Sequence, residues 1–215
     1  MNIHAINFAR SRLPESMVLQ DGDTDRSVEI SFLLYVIESD HQRILIDAGC
    51  DTLPGFEMQQ FVSPGKALAD YGIDPGTITD VIITHAHHDH IDGLRHFPQA
   101  TLHIQAKEFQ KGQKYIPDTA ILHIFSEKAR LGENIEIIKI GGHTPGSSIV
   151  RVEAGPFTYV FAGDECYLPL CLERNIPTGT SHNPIASAEF IEEYRKPGYR
   201  VLLTHDTNIQ TGKII

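Results

Sequence analysis

Residues 80–93 read DVIITHAHHDHIDG, and within six positions of that stretch stand four metal-ligating side chains, His85, His87, Asp89 and His90. The apolar run at 81–84 has the length and β-branched character of a buried strand. Asp92-Gly93 is turn chemistry, so the cluster occupies the loop that follows a strand end. Alternate positions of an extended loop, such as His85 and His87, can reach one ion, and imidazole with carboxylate suits zinc and similar borderline cations. Asp89 and His90 then face a neighbouring position. With twelve histidines in the chain a single H-x-H carries little weight, but the added Asp89-His90 makes a metal site the stronger reading than a chance cluster.

Outward from this stretch, three more candidates stand after expected strands or in glycine-rich turns: His143 in GGHTPGSS, Asp164 in FAGDECY and His205 in LLTHD. Glycines beside His143 permit the close backbone approaches that a loop wrapped around an ion needs. Upstream, the short aliphatic segment at 43–47 ends in Asp47-Ala48-Gly49. It puts Asp47 at another strand end, either as a ligand-orienting residue or as an ordinary turn aspartate.

In this order the motifs, a strand-end Asp, H-x-H-x-D-H, a downstream His, an Asp and a final His, resemble those of the metallo-β-lactamase superfamily from Asp47 to His205. The resemblance implies a four-layer αββα sandwich, an α/β fold with the site along one edge of its packed sheets. It implies that His85, His87 and His143 hold one divalent ion and that Asp89, His90 and His205 hold another. Asp164 would bridge them and Asp47 would orient a ligand. Two such ions share a hydroxide at neutral pH, so hydrolysis needs no Ser or Cys nucleophile. Zinc is the expected metal, with iron, manganese or cobalt admitted by the same ligands.

Within that superfamily, a bridging Asp164 argues against antibiotic hydrolysis. A histidine at 87 and the lack of a flavodoxin-like extension argue against the flavo-diiron oxidoreductases. The stretch at 68–109, with Gln105 and Glu108, is similar to the N-acyl homoserine lactonases, where a Tyr placed as Tyr167 is can hydrogen-bond a substrate carbonyl. That similarity implies lactone opening, with Tyr167 supporting the oxyanion and Asp89 passing a proton to the leaving alkoxide. A packed aromatic is the competing reading of Tyr167. The alternatives for the whole are a thioesterase resembling glyoxalase II, for which the chain is short after His205, and a non-catalytic metal-binding regulatory protein.

The remaining features bound the answer. A length of 215 residues with 41% hydrophobic content suits one domain over 1–215. A net charge of −10 repels polyanions, and the basic clusters Lys107/Lys111/Lys114 and Arg195/Lys196/Arg200 read as solvated faces, so a small-molecule substrate rather than nucleic acid is expected. No apolar stretch is long enough to cross a bilayer, and the N-terminal residues lack a signal-peptide core. Cys50, Cys166 and Cys171 are too few for a disulfide framework and read as inert thiols in a cytoplasmic protein.

Strands are expected at 28–37, 43–47, 81–84, 101–104, 135–140, 148–153, 157–162 and 199–204, the sixth and seventh forming a hairpin around Gly155-Pro156. Helices are expected after Ser63-Pro64, stopping at Gly72, and after Asn183-Pro184. Residues 111–130, with a weak pattern and a central Pro117, suggest a loop or helix over the site. His4, His41, His96, His103 and His123 read as surface or packing residues, while His88 and His182 lie where they could touch substrate.

Overall fold

The computed structural model describes residues 1–39 and 41–215. It begins with a strand absent from the expectations above, β1 (Asn2–Pro14). Its register against β2 (Ser27–Glu38) slips between Asn7 and Ala9, so its buried positions do not follow the two-residue period that marks a strand in sequence. A one-turn helix, α1 (Glu15–Val18), joins the two. β2 itself starts exposed and is continuously buried from Ile30 to Ile37, as its alternating and then unbroken apolar pattern predicts.

β3 (Arg43–Ile46) runs antiparallel to β2 and delivers Asp47 at its end. α2 (Pro64–Tyr71) follows, starting at Pro64 and stopping at Gly72, whose φ of 97° provides a left-handed stop. Ser63 occupies the cap position but makes no side-chain cap bond there. β4 (Asp80–Ile83) and β5 (Thr101–Gln105) are parallel to β3, separated by the short helix α3 (His88–Ile91) that carries the histidine run.

After α4 (Ala106–Gly112), residues 111–130 do not form a cover over the site. They contain a 3-10 turn and two strands, β6 (Ile121–Phe125) and β7 (Lys128–Leu131), one in each sheet. Four of the five β6 residues are exposed, so no amphipathic alternation betrayed it. β8 (Ile135–Lys139), β9 (Ser148–Ala154) and β10 (Phe157–Phe161) complete an antiparallel set with the expected β9–β10 hairpin. α5 (Pro169–Arg174) and α6 (Pro184–Tyr194) follow, the latter capped by Asn183 Oδ1 accepting from Ala186 N at 3.3 Å. β11 (Tyr199–Leu202) then pairs parallel with β10, and a last short strand, β12 (Gly212–Lys213), pairs with β1.

The strands form a seven-membered sheet, β12-β1-β2-β3-β4-β5-β6, and a five-membered one, β11-β10-β9-β8-β7. Between them Leu33, Tyr35, Ile46, Ile82, Val150 and Phe161 pack in one apolar layer, while helices cover the outer faces. This is the αββα sandwich implied by the motif order. Burial of about 25 cal/mol per Å² of apolar surface makes that layer the main force joining the sheets. No helix among the described residues is long and apolar enough to cross a membrane.

Candidate metal centre

The strand ends supply the site. Asp47 follows β3, the His85–His90 run follows β4, Asp164 follows β10 and His205 lies three residues past β11. Asp47 adopts a left-handed φ of 59°, tolerable for aspartate. That backbone lets Oδ1 accept from Thr84 N at 2.8 Å and Oδ2 accept from Thr84 Oγ1 at 2.9 Å, and brings Oδ2 to 2.8 Å from His90 Nδ1. His90 Nδ1–H donates to this carboxylate, which leaves its Nε2 lone pair facing inward. His205 is held likewise, Nδ1–H donating to the Ser31 carbonyl at 2.9 Å.

Two donor groups result, His85, His87, His143 with Asp164, and Asp89, His90 with His205, the ligand atoms of each lying within 4.8 Å of one another. In the first, His87 Nδ1 is 3.0 Å from His85 Nε2 and 2.9 Å from His143 Nε2. In the second, Asp89 Oδ2 is 3.6 Å from His90 Nε2 and 3.8 Å from His205 Nε2. Asp164 divides its oxygens between them. Oδ2 lies 3.6 Å from His85 Nε2 and 3.5 Å from His143 Nε2, and Oδ1 lies 3.2 Å from His90 Nε2 and 3.1 Å from His205 Nε2.

These residues fit a pair of divalent ions. His90 Nε2 and Asp164 Oδ1 are buried and lack a hydrogen-bond partner among the described residues, although they are 3.2 Å apart. With Nδ1–H given to Asp47, His90 Nε2 places a second acceptor beside Asp164 Oδ1, a costly arrangement unless a proton or a metal cation lies between them. Burial holds the His85 and His87 imidazoles below their ordinary value and His143 down to about 4, so these three are neutral ligands at pH 7. His90 and His205 go the other way. Burial opposes their charge, but Asp164 and Asp89, joined for His90 by Asp47, outweigh it. Burial also works against the Asp164 carboxylate, yet His90, His205 and His85 keep it well below the usual carboxylate range. A divalent ion would replace the protons on that side.

Two glutamates hold the His143 loop, Glu108, which sequence reasoning named in the lactonase-like stretch without a role, and Glu165, which it missed. Glu108, fully buried on α4, accepts from Ala86 N at 2.9 Å, Thr144 Oγ1 at 2.7 Å and Gly146 N at 2.9 Å, tying the H-x-H turn to the loop. From the opposite side Glu165, also fully buried, accepts from Gly142 N, His143 N and the Ser147 and Ser187 hydroxyls. Glu165 follows Asp164 directly, and nothing local distinguishes it from a surface glutamate. Gly142 leaves no room there: an added Cβ would fall 2.1 Å from Glu165 Oε2 and 2.3 Å from Ser187 Oγ. Gly142→Ala is expected to cost about 3 kcal/mol, the upper range for overpacking. A urea midpoint matching the parent protein would overturn that account of the loop.

The cradle opens into a cavity of about 160 Å³, walled on one side by Leu13, Met17, Ile30, Phe32, Leu53 and Phe56. The other side carries His87, Asp89, His143, Asp164, His205, Tyr167 and Thr180. A wider groove of about 610 Å³ beside α6 and β11 is lined by tyrosines and arginines and holds none of the ligand set. Tyr167 is buried against His205, ring centroids 4.8 Å apart, and Thr180 Oγ1 donates to its phenol oxygen at 3.3 Å. Thr180 was not singled out in sequence. Its TGTSHNP loop was, but His182 there is exposed and does not line the cavity. His88 also stays out, bonding Tyr115 OH at 3.0 Å and Thr52 Oγ1 at 3.1 Å. Cys166 and Cys171 are buried free thiols outside both donor groups.

An αββα sandwich with two histidine-carboxylate cradles at its strand ends defines a class of metalloprotein. Residues 33–205 match the metallo-β-lactamase superfamily, and the chain belongs to it. A probable metallo-hydrolase of Methanocaldococcus jannaschii is 29% identical over 150 residues, 70% of this chain and 68% of that protein. The hydroxyacylglutathione hydrolase of Salmonella paratyphi A is 32% identical over 111 residues, 49% of this chain and 39% of that enzyme. The chain spans 36–58% of the length of other curated relatives it matches. Among solved structures, an N-acyl homoserine lactone hydrolase with N-hexanoyl-L-homoserine at its catalytic metal centre has the same fold, with a TM-score of 0.83. It is 17% identical, and the match covers 96% of this chain and 94% of that one.

Proposed function

We propose that the protein is a metal-dependent hydrolase that opens a lactone ring, with two zinc ions that the two donor groups and Asp164 would hold. Such ions supply Lewis acidity toward a carbonyl and an acidified water at neutral pH. What the chain adds is orientation. The apolar wall from Leu13 to Phe56 receives the hydrocarbon part of the substrate and keeps bulk water from the cradle.

The observation that carries the choice of substrate is Tyr167. Burial first, and the Asp164 charge second, push its phenol well above its ordinary value, so it stays a neutral donor. Because Thr180 donates to the phenol oxygen, the Tyr167 proton is the one that can turn to Asp164 or to a substrate oxygen in the cavity. His143 Nδ1, 3.4 Å from Thr180 Oγ1, completes a chain in which ligation through Nε2 leaves the Nδ1 proton to donate. An ester oxygen that gains negative charge beside Tyr167 is thereby stabilised. Asp89, partly exposed at the cavity, would take a proton from the attacking water and pass it to the leaving alkoxide.

A hydrolysis panel on protein of measured metal content tests this reading. Acid release from acyl homoserine or aliphatic lactones is expected, and full metal with no lactone turnover would overturn it. Thiol release from a hydroxyacylglutathione thioester is the other arm, favoured by the Salmonella relative. Tyr167→Phe is expected to lower kcat about tenfold, less than loss of a sole oxyanion donor because metal shares the load. Bound metal should not change, and an unaltered kcat would remove Tyr167 from the chemistry.

A further inference from the structure

Away from the cradle, a second pair of imidazoles meets on the outer part of the seven-stranded sheet. His103, at the middle of β5, and His123, at the middle of β6, are direct cross-strand partners. Their Nδ1 atoms are 2.9 Å apart, with ring centroids at 5.0 Å. His103 is nearly buried, and its Nε2 lies 2.7 Å from Asp80 Oδ1 at the start of β4. Asp80 is itself fixed by Thr79, whose hydroxyl donates to Oδ2 at 2.7 Å. His123 is exposed on the edge strand.

Two properties of the cradle are repeated here. One is an imidazole whose far nitrogen donates to a buried carboxylate, as His90 does to Asp47, which leaves the near nitrogen with its lone pair outward. The other is the spacing, since His87 Nδ1 also lies 2.9–3.0 Å from the Nε2 atoms of His143 and His85. Two nitrogens each about 2.05 Å from one ion lie about 2.9 Å apart at a right angle and about 3.4 Å apart in a tetrahedron. The observed value matches the cis positions of a tetragonal or octahedral ion, the preference of Cu²⁺ and Ni²⁺.

We propose that His103 and His123 form a third metal site, an exchangeable surface site for a late first-row divalent ion such as Ni²⁺ or Cu²⁺, oriented by Asp80. On binding, both imidazoles ligate through Nδ1. The His103 proton remains on Nε2 with Asp80, and the His123 proton moves to its solvent-facing Nε2. Water fills the other positions. The site does not depend on what the cradle hydrolyses.

The test starts from zinc-loaded protein freed of excess metal, titrated with nickel chloride by equilibrium dialysis while retained zinc is measured in the same samples. One more nickel is expected on the parent protein than on His123→Ala, with zinc unchanged in both. Apparent affinity at this site should fall at least about tenfold in His123→Ala and in Asp80→Asn. His123→Gln, which keeps bulk on the strand, should behave as His123→Ala does. Equal nickel uptake by the parent and both His123 variants would overturn the assignment. So would zinc loss in step with nickel uptake, which would put the nickel in the cradle.

Discussion

Asp164→Asn is expected to lower hydrolysis by more than about a hundredfold and to release metal from both halves of the cradle together. Outer partners of a metal ligand are worth about 10–100-fold, and Asp164 is the contact that both donor groups share. The amide keeps the shape but replaces one oxygen by an NH₂ donor, which would point hydrogens at a cation. It also removes the negative charge that, beside His90 and His205, offsets the cost of burying a cation there. Metal content by plasma spectrometry, read beside initial rates, separates the outcomes. Loss of only one ion would mean that the two halves bind independently and that Asp164 is no bridge.

Stripping metal with a chelator is expected to lower Tm by roughly 8–16 °C, reversibly on adding zinc. An ion present at a thousandfold excess over its Kd adds about 4 kcal/mol, and each kcal/mol moves Tm by about 2–4 °C at this size. The cradle concentrates the change. Three imidazoles whose charged form burial disfavours face a buried carboxylate in one half, and in the other Asp164 and Asp89 draw protons toward His90 and His205. Without a divalent ion, His90 Nε2 and Asp164 Oδ1 stay buried with no hydrogen-bond partner. A Tm indifferent to chelator, in protein shown to have carried metal, would mean that the cradle is prebuilt by its neighbours alone.

The cradle was more legible than its supports. Ligand identity shows in residue type and spacing, so His85 through His205 could be gathered from short motifs, and the helix stop at Gly72 and the helix start at Asn183 obey local rules. Glu165 and Thr180 act through partners made near only by folding: Glu165 meets the His143 loop 22 residues back, and Thr180 meets Tyr167 across a helix. β1 escaped because its register slip disturbs the alternation by which strands are recognised, and β6 because its side chains lie exposed at the sheet edge. Periodicity reports which face is buried, so it is silent where a strand has no buried face.

The pairing of β12 with β1, and the placing of His205 just after β11, also order events during synthesis. A ribosome releases Asp47 and the His85–His90 run early, but the second ligand group stays incomplete until His205 emerges. The first group likewise waits for Asp164. A chain that has not yet reached His143, Asp164 and His205 therefore holds only part of either donor group. Both donor groups are complete only once β10 and β11 have joined the second sheet and brought Asp164 and His205 to the strand ends.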